Sequence, residues 1–195
     1  TLPEATLQTT GSSFVLGASL MTDNPMWWKG WLDDVRVYDR ALSAEEISIV
    51  MDGEDEESGE DEGGGDGVPQ VGGLVAHFSF DDNLTDSVDG DIGVATMTPQ
   101  FAAGRFGTAL WFDGEDDKLT ISAATLPQGN APRTLSLWAK DAAPGGHDWK
   151  FAANWGSPDS SKAFGLIRGD SGEGQPPGRW YGYWHDAPDV DSNAT

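Results

Sequence analysis

Cysteine is absent from the 195 residues. No disulfide and no thiolate metal site can form. That absence does not exclude secretion, because a chain of this length can bury a core without covalent staples. Basic residues are scarce, 11 against 33 acidic ones, for a net charge of −22. Phosphate recognition needs clustered Lys and Arg, so nucleic acid is a poor partner. An anionic membrane surface is equally poor. No apolar run approaches the ~20 residues of a membrane span, so no membrane insertion is expected. No signal peptide is visible either, although Thr1 is not a natural translation start and a longer chain is expected upstream.

What is present favours β-structure. The 26 Gly and 11 Pro punctuate the chain too often for long helices. The 9 Trp and 8 Phe can supply a core. Alternation marks "LVAHFSF", with Leu74, Ala76, Phe78 and Phe80 on one face. "KLTIS" turns Leu119 and Ile121 inward, and "TLSLWAK" does the same for Leu135, Leu137 and Ala139. Leu32 to Tyr38 reads as a strand with Val35 and Val37 on one face and Arg36 and Tyr38 on the other. Ser43-Ala44-Glu45-Glu46 is a capping box and predicts a short helical turn near 43–50. "FAANW", "AFGLIR" and "WYGYWH" predict further strands. The expectation is an all-β, antiparallel β-sandwich.

Residues 51–71 differ. Nine acidic residues lie between Asp52 and Asp66, with no base among them. Self-repulsion and glycine predict a disordered linker. The EF-hand pattern finds no register there.

Several motifs resemble the laminin G-like modules of the concanavalin A-like lectin/glucanase superfamily, of the bacterial kind. "GLVAHFSFDDNLTDSVDG", "GRFGTALWFDGEDDKLTIS" and "RTLSLWAK" are similar to the way such a module opens. "WWKGWLDDVRVYDRALSAEEI" is similar to the way one closes. The resemblance implies a jelly roll, incomplete here, because the closing motif comes first and the central strands are missing. The simplest expectation is a fragment of two tandem modules. Residues 1–50 end one module, 51–71 link, and 72–195 begin the next. A circular permutation is the alternative. A linker of this length reaches roughly 25 Å, so residues 1–50 are expected to dock on 72–195 as one composite sandwich.

For function, the resemblance implies a non-catalytic binding or adhesion module of an extracellular or cell-surface bacterial protein. Its partners would be a glycan or an extracellular protein, together with neighbouring modules of the same polypeptide. A ligand-free spacer, or an accessory domain of an extracellular enzyme, is the alternative. Many modules of the superfamily bind Ca²⁺, and by resemblance Asp81, Asp113, Asp34 and Asp33 are the candidate ligands. Aspartate in turns that caps its own backbone is the plainer reading.

Aromatic rings with a flat apolar face suit a pyranose. Trp155, Trp180, Tyr181, Tyr183 and Trp184 are the candidate ligand-binding residues, from a wider set that includes Trp27, Trp28, Trp31 and Trp149. Trp111 and Trp138, inside strands, are expected in the core. Catalysis finds little support. "GDSGEG" at 169–174 lacks the partners of a protease triad. The closely spaced carboxylates of a glucanase are missing. His77, His147 and His185 are too scattered for zinc, and His77 is expected to be a satisfied sheet residue.

Overall fold

The computed structural model describes residues 13–21, 23, 25–53, 71–129, 131–144, 149–156, 163–169, 178–184 and 190–191. Most of the acidic linker lies outside the described residues, as do His147, His185 and all of 169–174 except Gly169.

The order of elements is β1 (Ser13–Leu16), β2 (Lys29–Tyr38), α1 (Ala44–Asp52), β3 (Leu74–Phe78), β4 (Val94–Ala95), β5 (Phe101–Ala103), β6 (Thr108–Asp113), β7 (Leu119–Ser122), β8 (Thr134–Asp141), β9 (Lys150–Gly156), β10 (Ala163–Gly169), β11 (Arg179–Trp184) and β12 (Val190–Asp191). All pairings are antiparallel. One sheet runs β12-β11-β10-β9-β1-β7-β4. The other runs β3-β2-β6-β5, with β8 also on β2.

Strand β2 is the axis of the second sheet. Strand β8 takes one of its edges from Gly30 to Tyr38. The other edge is shared: β6 pairs residues 29–32 and β3 pairs residues 35–38. In the first sheet, β1 sits between β7 and β9, with Phe14 opposite both Ile121 and Trp155. Segments on either side of 54–70 therefore alternate within both sheets.

The core fills the space between the sheets. Phe14, Leu16, Leu119, Ile121 and Trp155 come from one; Leu32, Val35, Val37, Phe78, Leu110 and Phe112 come from the other. Leu135, Leu137 and Ala139 of β8 pack against it. The molecule is thus an antiparallel β-sandwich, with alternate residues of its strands turned inward except where bulges shift the register.

Leu32 and Val35 both face the core although only two residues separate them, which strict alternation forbids. A β-bulge resolves this. Asp33 pairs with Trp138 and Arg36 with Ser136, so β2 carries one residue more than β8 in that interval. Asp34 takes the left-handed conformation, φ 51°. Aspartate is among the few residues that tolerate it. A second irregularity shifts β3. Tyr38 pairs with Leu74 while Val37 pairs with Ala76. Leu74 therefore leaves the face of Ala76, Phe78 and Phe80 and joins a small cluster under the helix, while Val75 packs on the main core.

Helix α1 starts where the capping box predicts. The Glu46 N–H donates to Ser43 Oγ at 3.3 Å, and the Ser43 N–H donates to Glu46 Oε2 at 2.8 Å. It ends at Gly53, φ 73°, a left-handed C-cap. Val50 packs on Tyr38 and Val71, with Leu42, Ile49 and Leu74 around them. The helix so covers the outer face of the second half of β2. Among the described residues, no helix is long and apolar enough to cross a membrane.

Candidate functional site

The first half of β2 has no such cover. Its outer face carries Trp31 and Asp33. Register sets Trp31 between Trp111 of β6 and Lys140 of β8, and Asp33 beside Trp138 of β8. Ala102 of β5 sits opposite Ala109 of β6. These small side chains beside large aromatic ones leave room, and a cavity of about 430 Å³ results. Trp31, Asp33, Ala102, Ala109, Trp138 and Lys140 line it, with Gly104 and Arg105 of the β5–β6 turn. Trp31 packs against Trp111 with ring centroids 4.8 Å apart and the planes tilted by 53°. The Arg105 guanidinium lies over Trp138 at 5.0 Å and Phe106 at 5.3 Å.

Asp33 is 3 % exposed. Its Oδ2 accepts the main-chain N–H of Arg105 at 2.5 Å and of Phe106 at 3.1 Å. A Cβ at residue 104 would collide with that oxygen, so glycine there lets the carboxylate hold the turn. The buried Oδ1 has no partner. Burial pushes the Asp33 carboxyl above its ordinary range, and the nearby charges of Asp34 and Asp81 add to this against the pull of the two N–H groups. A buried acceptor left unsatisfied is costly.

Asp34 turns the other way, into the protein. Its Oδ1 accepts Arg36 Nε at 2.8 Å and lies 2.9 Å from His77 Nε2. His77 Nδ1 is 3.0 Å from Ser87 Oγ. Ser, His and Asp are thus linked in series, as in a hydrolase relay. Here Arg36 also engages the carboxylate, and Ser87 lines neither the cavity at Trp31 nor the groove beside α1. The chain of contacts ties β2 to β3 and to the turn after it.

The candidate calcium ligands do not converge. Asp81 Oδ1 accepts the Thr108 N–H at 2.7 Å, at the same end of β6 as Asp33 and Asp34. Asp113 lies at the far end of that strand. It groups instead with Asp116 and Asp117, whose carboxylate oxygens come within 4.8 Å of one another. Asp113 Oδ1 caps Glu115 and Asp116, and Asp117 Oδ2 accepts the Asp113 N–H at 2.8 Å. Burial raises the Asp117 carboxyl above its ordinary range, and its acidic neighbours reinforce the shift.

The aromatic candidates separate as well. Trp155 is 0 % exposed, wedged between Phe14 and Phe164 in the core, and offers no face to a ligand. Trp180 packs inward beside Trp28 at 5.5 Å. Tyr181, next in the strand, faces the opposite side and packs with Trp149, Phe151 and Ile167. For Tyr183 and Trp184 the backbone pairing to Gly165 and Phe164 is described, and the side chains lie outside the described set.

Trp111 and Trp138 correct the expectation of core packing. Each sits between inward neighbours, Leu110 and Phe112 in one case and Leu137 and Ala139 in the other, so alternation turns both outward. That signal was present in the strands. Arg105 and Lys140 carried no sequence signal that pointed to the cavity.

No curated protein and no solved structure matches the chain. Residues 1–48 match a family model described as the concanavalin A-like lectin/glucanases superfamily, of laminin G type. That similarity is confined to residues 1–48 of the 195.

Proposed function

We propose that the chain is a non-catalytic saccharide-binding module acting outside the cell, and that the cavity at Trp31 and Trp138 is its ligand site. The observation that carries this reading is the pair of half-buried indoles, Trp31 and Trp138, on the wall of one open cavity. Indole faces take the C–H side of a sugar ring. A ligand-free spacer would have no use for tryptophan at an open cavity. The fold alone does not choose between these roles.

The test is a saccharide panel read by affinity electrophoresis and calorimetry. Binding that is lost in Trp31→Ala and Trp138→Ala supports the proposal. A blank panel with folded protein sinks it.

Calcium belongs to the same proposal. The Asp113, Asp116 and Asp117 carboxylates, with turn carbonyls, are the hard oxygen donors that this ion takes. A rise in melting temperature with millimolar Ca²⁺ supports it; no heat and no shift removes it. The tandem arrangement, with 1–50 ending one module and 72–195 beginning another, is likewise proposed, and the gene on either side of these residues tests it.

A further inference from the structure

A long bare edge on a β-sheet is a template for another strand, and proteins blunt most of their edges. Here β4 and β12 end the first sheet with two residues each, and β5 ends the second with three. The outer edge of β3 is closed by the turn that follows it. The His77 N–H donates to Asp86 Oδ1, and the Ser87 N–H donates to the His77 carbonyl. Strand β8 differs. It has eight residues, and among the described residues it pairs only with β2. Its inward side chains are also less covered. Leu135, Leu137 and Ala139 are half-buried, whereas Leu32, Val35 and Val37 of β2 are fully buried.

Position explains the difference. Arg133 lies over Trp155 of β9 and Phe164 of β10, and Asp141 takes Lys150 of β9 and Arg168 of β10. Strand β8 therefore stands above β9 and β10, and β11 and β12 carry the first sheet beyond its free edge. A groove of about 320 Å³ runs along Thr134 to Trp138. Half-buried Leu166 of β10 lies on one side of it. Ile47 and Met51 of α1, 44 % and 49 % exposed, lie on the other. No charged side chain lines it, in a protein of net charge −22.

We infer that the free edge of β8 receives an extended segment of another protein, which adds a strand to the second sheet. That segment has apolar side chains at alternate positions, to cover Leu135, Leu137 and Leu166. It has no acidic ones, because the groove offers them no partner and the molecule's own charge repels them. A second copy of this chain does not fit. Pairing β8 with β8 antiparallel puts a twofold axis across both sheets. The β11 and β12 strands of the two copies would then fall in the same space. Saccharide binding at Trp31 is not required for this docking.

The probe is a synthetic peptide of valine-threonine repeats with a lysine at each end, matched to the eight residues of β8. Two further peptides carry N-methyl groups, one on its valines and one on its threonines. In an extended strand these two sets of N–H groups face opposite edges. All the peptides carry the same charge, so attraction to the acidic surface is equal for each. Calorimetry on the whole chain reads the affinity. The unmodified peptide should bind. One methylated peptide should bind within about threefold of it, and the other should lose about tenfold or more. Ile47→Ser and Met51→Ser, at exposed positions of α1, should each weaken binding by about threefold or more. Val94→Ser on β4, 70 % exposed and away from the groove, should change nothing. No binding by the unmodified peptide, or equal binding by the two methylated ones, overturns the inference. A dimer in ultracentrifugation that the peptide dissociates also overturns it, because a second copy then covers the edge.

Discussion

The two halves of β2 share a partner strand and differ in what covers them. From Val35 to Tyr38 both faces are buried, one in the core and the other under α1 and Leu74. From Lys29 to Asp33 the inner face is just as buried, but the outer face lines a cavity. The bulge at Asp34 is the boundary between them. A sheet stays stable when one face is packed, so the other can be given to a ligand. One half of the strand is packed on both faces, while in the other half the half-buried Trp31 on the outer face can be altered at little cost to the fold.

The boundary is the place to break that comparison hardest. Asp34→Ala removes the carboxylate facing the buried Arg36 and puts alanine at a positive φ. Stripping one partner from a buried ion pair costs about 3–5 kcal/mol. We expect a strongly lowered melting temperature or failure to fold, read by circular dichroism. An unchanged melting temperature would show that the bulge does not depend on this charge. Tyr38→Ala comes next. Truncating a fully buried aromatic ring costs about 3–5 kcal/mol. It tests whether the covered half carries stability, by denaturant midpoint.

Trp31→Ala in the open half should cost only about 1 kcal/mol of stability, because the ring is half-buried and loses one aromatic contact. Its effect on saccharide binding should be about tenfold or more. If stability falls as far as in Tyr38→Ala, the two halves are not distinct.

The smallest effect is with pH. Burial raises the Asp33, Asp86 and Asp117 carboxyls above their ordinary value of 3.8. The folded state therefore binds these protons more tightly than the unfolded state. Their contribution to stability is fully present below the unfolded pKa and is lost as pH rises through the folded values. Glu46 has the opposite sign. The Arg40 guanidinium holds its carboxyl at about 2, so its contribution persists above 4.5 and is lost only as pH falls toward about 2. As pH falls from neutral toward the raised values of these aspartates, and before Glu46 loses its contribution, the melting temperature should rise slightly at fixed ionic strength. A fall would contradict the sign.

Much of the sandwich was legible because it depends on local pattern. Leu119 and Ile121 face inward as their alternation requires, as do Leu135, Leu137 and Ala139. Ser43 and Glu46 cap α1 because a capping box needs only four residues. The two bulges were not legible, since nothing in "LDDVRV" states that Asp34 will leave the ladder. The cavity was hidden for a related reason. It exists because Ala102 and Ala109 lie in the sheet that holds Trp31 and Trp138, and that register joins the β5–β6 hairpin to β2 and β8, which lie far from it in the sequence. Trp155 was misjudged as an open platform because a single strand does not announce that Phe14 will close over it.

The alternation of early and late strands also governs how the chain can fold. Phe14 meets Trp155, and Tyr38 meets Thr134. These pairs lie far apart in the sequence, and high contact order slows folding. On the ribosome, the ten residues of β2 leave the exit tunnel long before β8 exists to pair with them. Until then they present a bare apolar strand to the cytosol or translocon, the kind of segment that chaperones bind and that aggregates when they do not.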